Sequence, residues 1–248
     1  MKKVLIFLLL FALTAAMALP AFAVEKDPLL TLVNPWNTIP EGWTVDLVSI
    51  GNGHRVDRAC YNDLMEMLAA CKEAGLRPMV KSSYRSQSTQ KQLHENKVRQ
   101  WKGYGYSEDE ARKQAAAIVA VPGTSEHQLG WAVDIVDASY QVLNEKQATM
   151  PAQIWLMEHS WEYGFILRYP VGKSDVTGII YEPWHYRWVG RDNARAIYES
   201  GLCLEEYLER QASREAVRAA IEEQYGAAAR RICEILVNKT LPASVMKP

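Results

Sequence analysis

Five histidines occur in this sequence of 248 residues, and two of them lie near other side chains that bind metals. His127 is followed by Gly130, which permits a turn, and then by Asp134. Because side chains alternate across a strand, a strand over residues 131–136 places Asp134 on the same face as the small Ala132. The side chains of a loop histidine and of this aspartate can then approach the same metal ion. Since catalytic zinc takes three nitrogen or oxygen ligands from the protein, His127 and Asp134 are two candidates.

A second segment, Glu182-Pro-Trp-His185, supplies a third candidate ligand, His185, and a candidate base. Pro183 favours an extended or turn conformation for Glu182. Such a turn is required, since residues three apart face opposite sides of a flat strand. A metal lowers the pKa of a water molecule, and a carboxylate beside it can take the proton and return it to a leaving amine. The predicted chemistry is hydrolysis.

Spacing alone does not exclude that these two histidines have a purely structural role, because histidines more often make core or surface hydrogen bonds than bind metals. Arg85 ends a predicted strand just before a helix, where its guanidinium can reach a substrate carbonyl or carboxylate. A surface ion pair is the alternative for this arginine. His54, His94 and His159 lack a nearby carboxylate and glycine, so we expect them to be ordinary polar residues.

Hydrophobic spacing and turn residues predict the elements that must position these side chains. Helices are predicted over residues 56–74, 86–101, 107–119, 151–163 and 192–200, and strands over residues 78–83, 131–136, 165–169 and 184–189. Because these elements do not alternate in strict βαβ order, we expect an α+β fold with a small, largely antiparallel sheet flanked by helices. Residues 24–56, rich in proline, glycine and asparagine, are predicted to form an extended, wrapping segment.

The first 23 residues have the pattern of a secretory signal peptide. Lys2 and Lys3 precede an apolar run from Val4 to Leu19, and Ala21-Phe22-Ala23 offers small residues to a signal peptidase. A membrane anchor is the alternative, but the run is short for a span of about 20 residues. We therefore expect an exported, extracytoplasmic protein, in the cell envelope or secreted, whose mature chain has no transmembrane segment.

We expect one domain over residues 24–208, followed by a helical extension over residues 209–248. Apolar residues recur every three or four positions in this extension, which is typical of an amphipathic helix. They are Val217, Ile221, Tyr225, Ala228, Ile232 and Ile235. The stripe can pack on its own domain, join two chains or lie on a membrane surface. The sequence does not predict the oligomeric state.

Charge and cysteine content argue against two further classes of site. The formal net charge of −1 becomes −3 without Lys2 and Lys3, which argues against electrostatic binding of nucleic acid. The four cysteines lack the paired spacing of a structural zinc site. Cys60 and Cys71 are about 16 Å apart on one predicted helix, too far for a disulfide. No disulfide is predicted, although a bridge from either residue to the two remaining cysteines, Cys203 and Cys233, stays open.

Three motifs occur in order along the chain: Ser-Tyr-Arg-Ser at 83–86, Ser-x-His-x-x-Gly-x-Ala-x-Asp at 125–134, and Glu-Pro-Trp-His at 182–185. Together they resemble the VanY-type D-alanyl-D-alanine carboxypeptidases, which are relatives of the VanX dipeptidases. The resemblance extends from Leu32-Val-Asn-Pro35 to a segment that ends at Leu208. The tail beyond Leu208 lies outside it.

This resemblance implies a zinc peptidase that trims the stem peptides of peptidoglycan. The metal ligands of the family match His127, Asp134 and His185. Glu182 matches its catalytic base, and Arg85 matches an arginine that stabilises the developing oxyanion. Ser125 and Gln90 match positions that help to hold the terminal D-alanine and its carboxylate.

The expected reaction is release of D-alanine from the C-terminus of stem pentapeptides, with one zinc ion as cofactor. An LD-carboxypeptidase acting on tetrapeptides is the first alternative, because subsite shape around the penultimate residue separates the two activities. An endopeptidase that cuts within the stem is another. A noncatalytic cell-wall binding module is disfavoured, since binding alone needs no base such as Glu182 beside the metal.

Overall fold

The computed structural model describes residues 27–225. The predicted signal peptide, Cys233 and the end of the tail lie outside the described residues. The chain divides into two compact units, one of them Pro28–Glu206 and the other comprising the remainder. The first unit carries all the predicted site residues. Within residues 27–225, no helix combines the length and apolar character needed to span a membrane.

Two antiparallel sheets are formed by six strands in the described part of the chain. The strands are β1 Leu47–Gly51, β2 His54–Asp57, β3 Pro78–Ser82, β4 Ala132–Asp137, β5 Phe165–Leu167 and β6 His185–Trp188. The first two form a hairpin, and the other four form a sheet in the order β3-β4-β6-β5. The predicted α+β fold with a small antiparallel sheet is confirmed.

Seven α-helices accompany these strands in the same part of the chain. They are α1 Arg58–Glu73, α2 Gln87–Gly103, α3 Glu108–Ala116, α4 Pro151–His159, α5 Ser174–Thr177, α6 Arg191–Ser200 and α7 Leu204–Tyr225. Serine caps explain where two of the helices begin, at the positions from which these helices are predicted: the Ser86 and Ser107 hydroxyls accept hydrogen bonds from the backbone N–H groups of Thr89 and Glu110.

Most predicted elements differ from the observed ones by a few residues at their ends, and two differences are larger. The segment predicted as extended and wrapping contains the β1–β2 hairpin, whose turn places Asn52 and Gly53 at positive φ, as a tight two-residue hairpin turn requires. The tail helix begins at Leu204, earlier than predicted, so the boundary between the two units falls inside α7. The first difference has a local cause, because Asn52-Gly53 is the residue pair that a two-residue hairpin turn favours.

The four-stranded sheet separates a hydrophobic core from a polar face. Val133 and Ile135 of β4, with Tyr186 and Trp188 of β6, pack into a buried cluster with Leu64 and Met67 of α1. The alternate side chains of β4 and β6 point to the opposite face. Strand alternation therefore delivers polar residues to one side of a sheet whose other side is anchored in the core.

Gly130 connects a 3-10 turn over Glu126–Leu129 to β4. Its φ of +80° belongs to the left-handed region, and its N–H donates to the His127 carbonyl. A Cβ atom here would lie 2.6 Å from Val45 Cγ1 and 3.0 Å from Asp57 Cβ. The position thus needs glycine both for its conformation and for its close approach to the end of β2.

We expect Gly130→Ala to lower the free energy of unfolding by about 3 kcal/mol, because left-handed strain and steric overlap add. Gly172→Ala is the matched control: its φ is +74°, but nothing lies within 4 Å of the added Cβ. For this control we expect the free energy of unfolding to fall by only about 1 kcal/mol. Urea unfolding measures the stability of both variants. Equal losses of stability would show that the close approach at Gly130 does not contribute to the cost of the substitution.

Candidate metal centre and active site

Two of the predicted ligands are cross-strand partners. Asp134 of β4 lies directly opposite His185 of β6 in the antiparallel register, and directly opposite side chains lie on the same face about 5 Å apart. The Asp134 Oδ1 atom is 3.1 Å from His185 Nδ1. The pair is therefore positioned by sheet register and not by a flexible loop.

His127 joins them from the 3-10 turn that precedes β4. Its Nδ1 lies 2.9 Å from the Ser83 carbonyl oxygen. Because a carbonyl only accepts, Nδ1 carries the proton and Nε2 keeps its lone pair. That Nε2 lies 3.3 Å from Asp134 Oδ2 and has no hydrogen-bond partner among the described residues, although it is buried. The imidazole is thus oriented as a ligand.

The three side chains fit a zinc ion. One ligand atom from each of His127, Asp134 and His185 lies within 4.8 Å of the others, and all three residues are buried. Bonds of about 2.0–2.1 Å in a tetrahedral site separate ligand atoms by about 3.3 Å, close to the 3.3 Å and 3.1 Å separations from Asp134 to the two histidines. Two imidazoles and a carboxylate form a donor set that suits catalytic zinc.

The charges at this cluster favour a cation. Burial, with the nearby Arg85 charge, lowers the pKa of His127 to about 4, so this imidazole is neutral at pH 7. Burial alone would raise the pKa of Asp134, but the two histidines hold it well below its usual range. Burial opposes protonation of His185, yet its contacts with Asp134 and Glu126 raise its pKa to about 9. A bound metal must displace that proton.

Glu182 lies beside the cluster through the turn expected at Pro183. The backbone N–H of His185 donates to the Glu182 carbonyl at 3.1 Å, which closes a four-residue turn with proline at its second position. Glu182 Oε2 is 3.6 Å from His185 Nδ1. Burial and the charge of Asp134 raise the pKa of Glu182 to about 8, against the opposing effect of His185. This carboxyl is therefore poised to exchange a proton near neutral pH.

Arg85, Gln90 and Ser125 occupy different places around the cluster. Arg85 donates to Gln90 Oε1 at 3.0 Å, and its Nη2 lies 3.5 Å from Asp134 Oδ2. Gln90 is fully buried behind Arg85, and its side-chain amide donates to the Ala120 carbonyl. In this structure Gln90 therefore positions Arg85. Ser125 lines the cleft above the cluster, as does Arg85.

Sequence reasoning missed Glu126, which lies behind His185. Its Oε2 is 3.5 Å from His185 Nε2, while its Oε1 accepts hydrogen bonds from Arg168 at 2.7 Å and Arg187 at 2.9 Å. The two guanidinium charges hold the pKa of Glu126 below its usual range, although burial alone would raise it. Neither Glu126 Oε2 nor His185 Nε2 has a hydrogen-bond partner among the described residues, so their contact is electrostatic. A carboxylate near the outer nitrogen of a ligating histidine raises the basicity of the ring. The available signal was arginine in otherwise apolar strand segments, since such residues are rarely buried unless paired.

A cleft of about 550 Å³ opens onto the cluster. Tyr169 and Trp184 line it near the metal ligands, and the ring centroid of Tyr169 is 4.8 Å from that of His185. The cleft continues between β3 and α2, where Leu93 contributes an apolar surface. Its volume lies in the range that holds a ligand larger than one amino acid.

We expect zinc binding at pH 7 to release at least one proton per ion. His185, with its pKa raised to about 9, must lose a proton to ligate, whereas His127 is already neutral. Apparent zinc affinity should rise as pH increases toward 9. Titration calorimetry in buffers of different ionisation enthalpy counts the protons. Glu182→Gln is the control, since it removes the other protonated side chain and should leave the His185 proton. A buffer-independent enthalpy would contradict the assignment.

Comparison with known proteins agrees with this geometry. The family model for VanY, D-alanyl-D-alanine carboxypeptidase, matches residues 53–191, more than half of the chain. A D-alanyl-D-alanine carboxypeptidase of Enterococcus faecalis is 44% identical over 185 residues, which are 74% of this chain and 67% of that protein.

Solved structures show the same fold. VanYB in complex with D-alanine-D-alanine superposes with a TM-score of 0.67 at 43% identity, covering 73% of this chain and 97% of that one. A VanY mutant from a VanB-type resistance cassette, in complex with Zn(II), gives 0.66 at 43% identity, with 72% and 98% covered. The LdcB LD-carboxypeptidase gives 0.64 at 34% identity, with 74% and 86% covered. The chain therefore belongs to the VanY family of D-alanyl-D-alanine carboxypeptidases and is a zinc metallopeptidase.

Proposed function

We propose that this protein releases the terminal D-alanine from peptidoglycan stem pentapeptides outside the cytoplasmic membrane. The observation that carries the proposal is the buried cluster of His127, Asp134 and His185 at a cleft that also contains Glu182 and Arg85. A relative solved with D-alanine-D-alanine supports the substrate class. The leader pattern of the first 23 residues supports the location, because the cell wall lies beyond the membrane.

The cluster and the groups around it divide the work of hydrolysis. Zinc held by the three ligands supplies Lewis-acid polarisation of water and of the scissile carbonyl. A Glu182 carboxylate oxygen takes the proton from the attacking water and returns it to the leaving amine of D-alanine. Its pKa of about 8 in the metal-free protein is near enough to neutral pH for both transfers.

Arg85 is placed to stabilise negative charge on the carbonyl oxygen. Its guanidinium is mostly buried, and its Nε atom has no hydrogen-bond partner among the described residues. The hydrogen bond from Arg85 Nη1 to Gln90 Oε1 fixes the orientation of the guanidinium. A donor that is oriented in advance can stabilise the negative charge that develops in the transition state. Ser125 lines the same cleft and offers a hydroxyl to the substrate carboxylate.

Removal from pentapeptides is favoured over removal from tetrapeptides by the higher identity to VanY than to the LD-carboxypeptidase. Mass spectrometry of muramyl pentapeptide and tetrapeptide, each incubated with the zinc-loaded protein, separates the two activities. Loss of one alanine from the pentapeptide alone is the expected result, and a chelator should abolish it. Loss from the tetrapeptide would assign LD specificity instead.

We expect Glu182→Gln to keep its zinc but to lower kcat by at least about a hundredfold, because the base is lost while the ligands stay. Release of D-alanine from pentapeptide and zinc content by elemental analysis are measured together. Glu162→Gln, which alters an exposed carboxylate 2.7 Å from His159, is the control and should retain full activity. Full activity in the Glu182 variant would refute its role.

His127→Ala separates loss of the metal from loss of the base. This variant should lose zinc as well as activity, since a ligand is removed. Full zinc occupancy in it would show that the ligand set is wrong.

A further inference from the structure

Two lysines line the cleft together with the metal cluster. The lining carboxylates, Asp134 and Glu182, both belong to that cluster. The part of the cleft between β3 and α2 is lined by Lys81 and Lys97 together with neutral side chains. Asp134 and Glu182 form their ion pairs with Arg85 and the two histidines, and with neither lysine.

Lys81 reaches the cleft through a β-bulge. Val80 pairs with Ile135 and Ser82 pairs with Asp134, so Lys81 is the extra residue of β3 opposite a metal ligand. Bulges next to active sites characteristically redirect a side chain. Among residues 27–225, the side chain of Lys81 has no hydrogen-bonding or ion-pair partner.

Lys97 lies across the cleft on α2 and is half-buried. Its Nζ donates to Gln100 Oε1 at 3.0 Å, a neutral partner that leaves the charge uncompensated. Two lysines without acidic partners in one cleft create a positive electrostatic potential, which attracts an anion.

We propose that Lys81 and Lys97 bind a carboxylate of the stem peptide on the N-terminal side of the scissile bond. This inference rests on the proposed function and names the form of substrate that the cleft selects. Two carboxylates have this chemistry: the α-carboxylate of a γ-linked D-glutamate, and the side-chain carboxylate of a diamino diacid at the third position. Amidation of that group removes the charge, so the enzyme discriminates acidic stem peptides from amidated ones.

The test compares four substrates that share the terminal D-alanyl-D-alanine. One pentapeptide carries both carboxylates, a second has the glutamate amidated, a third has the diacid amidated, and diacetyl-L-lysyl-D-alanyl-D-alanine carries neither. We expect the unmodified protein to prefer the recognised carboxylate by about fivefold in kcat/KM, a factor typical of partly exposed charge pairs. Whichever amidation removes the preference identifies the carboxylate, and the preference should fall as salt rises.

Lys81→Gln and Lys97→Gln should each reduce the preference to about twofold or less without changing kcat/KM for the tripeptide. Lys91→Gln is the matched control, because Lys91 is an exposed lysine of α2 outside the cleft lining. It should leave the preference unchanged. A double-mutant cycle between each lysine and each amidation isolates the pairwise effect from general damage.

Equal rates with acidic and amidated pentapeptides in the unmodified protein would overturn the inference, as would equal losses on all four substrates in the lysine variants. Binding of the same peptides to zinc-loaded Glu182→Gln, measured by calorimetry, gives a readout that needs no turnover. Carboxylate-selective binding with no cleavage of any substrate by the unmodified protein would refute the proposed function and support the inference. Cleavage of the tripeptide without carboxylate selectivity would support the proposed function and refute the inference.

Discussion

The ion pairing of Glu126 with Arg168 and Arg187 is the constraint on which the active site depends. All three side chains are buried, where an unpaired charge would be strongly destabilising. Their mutual compensation allows a carboxylate to lie 3.5 Å behind the outer nitrogen of His185. The opposite nitrogen of that ring is thereby directed toward Asp134. Removing Glu126 would leave two buried guanidinium groups without their shared partner, so its role extends from the metal centre to the stability of the fold.

The surroundings of Asp134 and Glu182 shift the pKa values of these two neighbouring carboxyl groups in opposite directions. Asp134 contacts both histidines, which keep it ionised and suited to ligate a cation. Glu182 makes one longer contact to His185, and burial leaves its pKa near 8. Pairs of acids whose environments separate their pKa values are a common basis for distinct chemical roles in one site. The contacts of the two carboxyl groups therefore agree with the predicted roles, Asp134 as ligand and Glu182 as base.

Much of this arrangement was predictable, because local signals carry it. Hydrophobic spacing and turn residues predicted most elements, and the spacing from His127 to Asp134 predicted the ligand pair. The sequence could not reveal that Asp134 lies opposite His185, since register is set by long-range pairing. Glu126 was missed for the same reason: its partners are 42 and 61 residues away. The roles assigned to Arg85, Gln90, Ser125 and Glu182 stay predictions.

The same buried ion cluster joins the two ends of the catalytic unit. Arg187 donates to the carbonyl of Leu29, 158 residues earlier, and Arg168 is held by Glu205, which also accepts from Asn34 across 171 residues. The support behind His185 therefore draws on residues from both ends of Pro28–Glu206. Shortening the unit at either end would remove a partner of these buried guanidinium groups, although all three metal ligands would still be present.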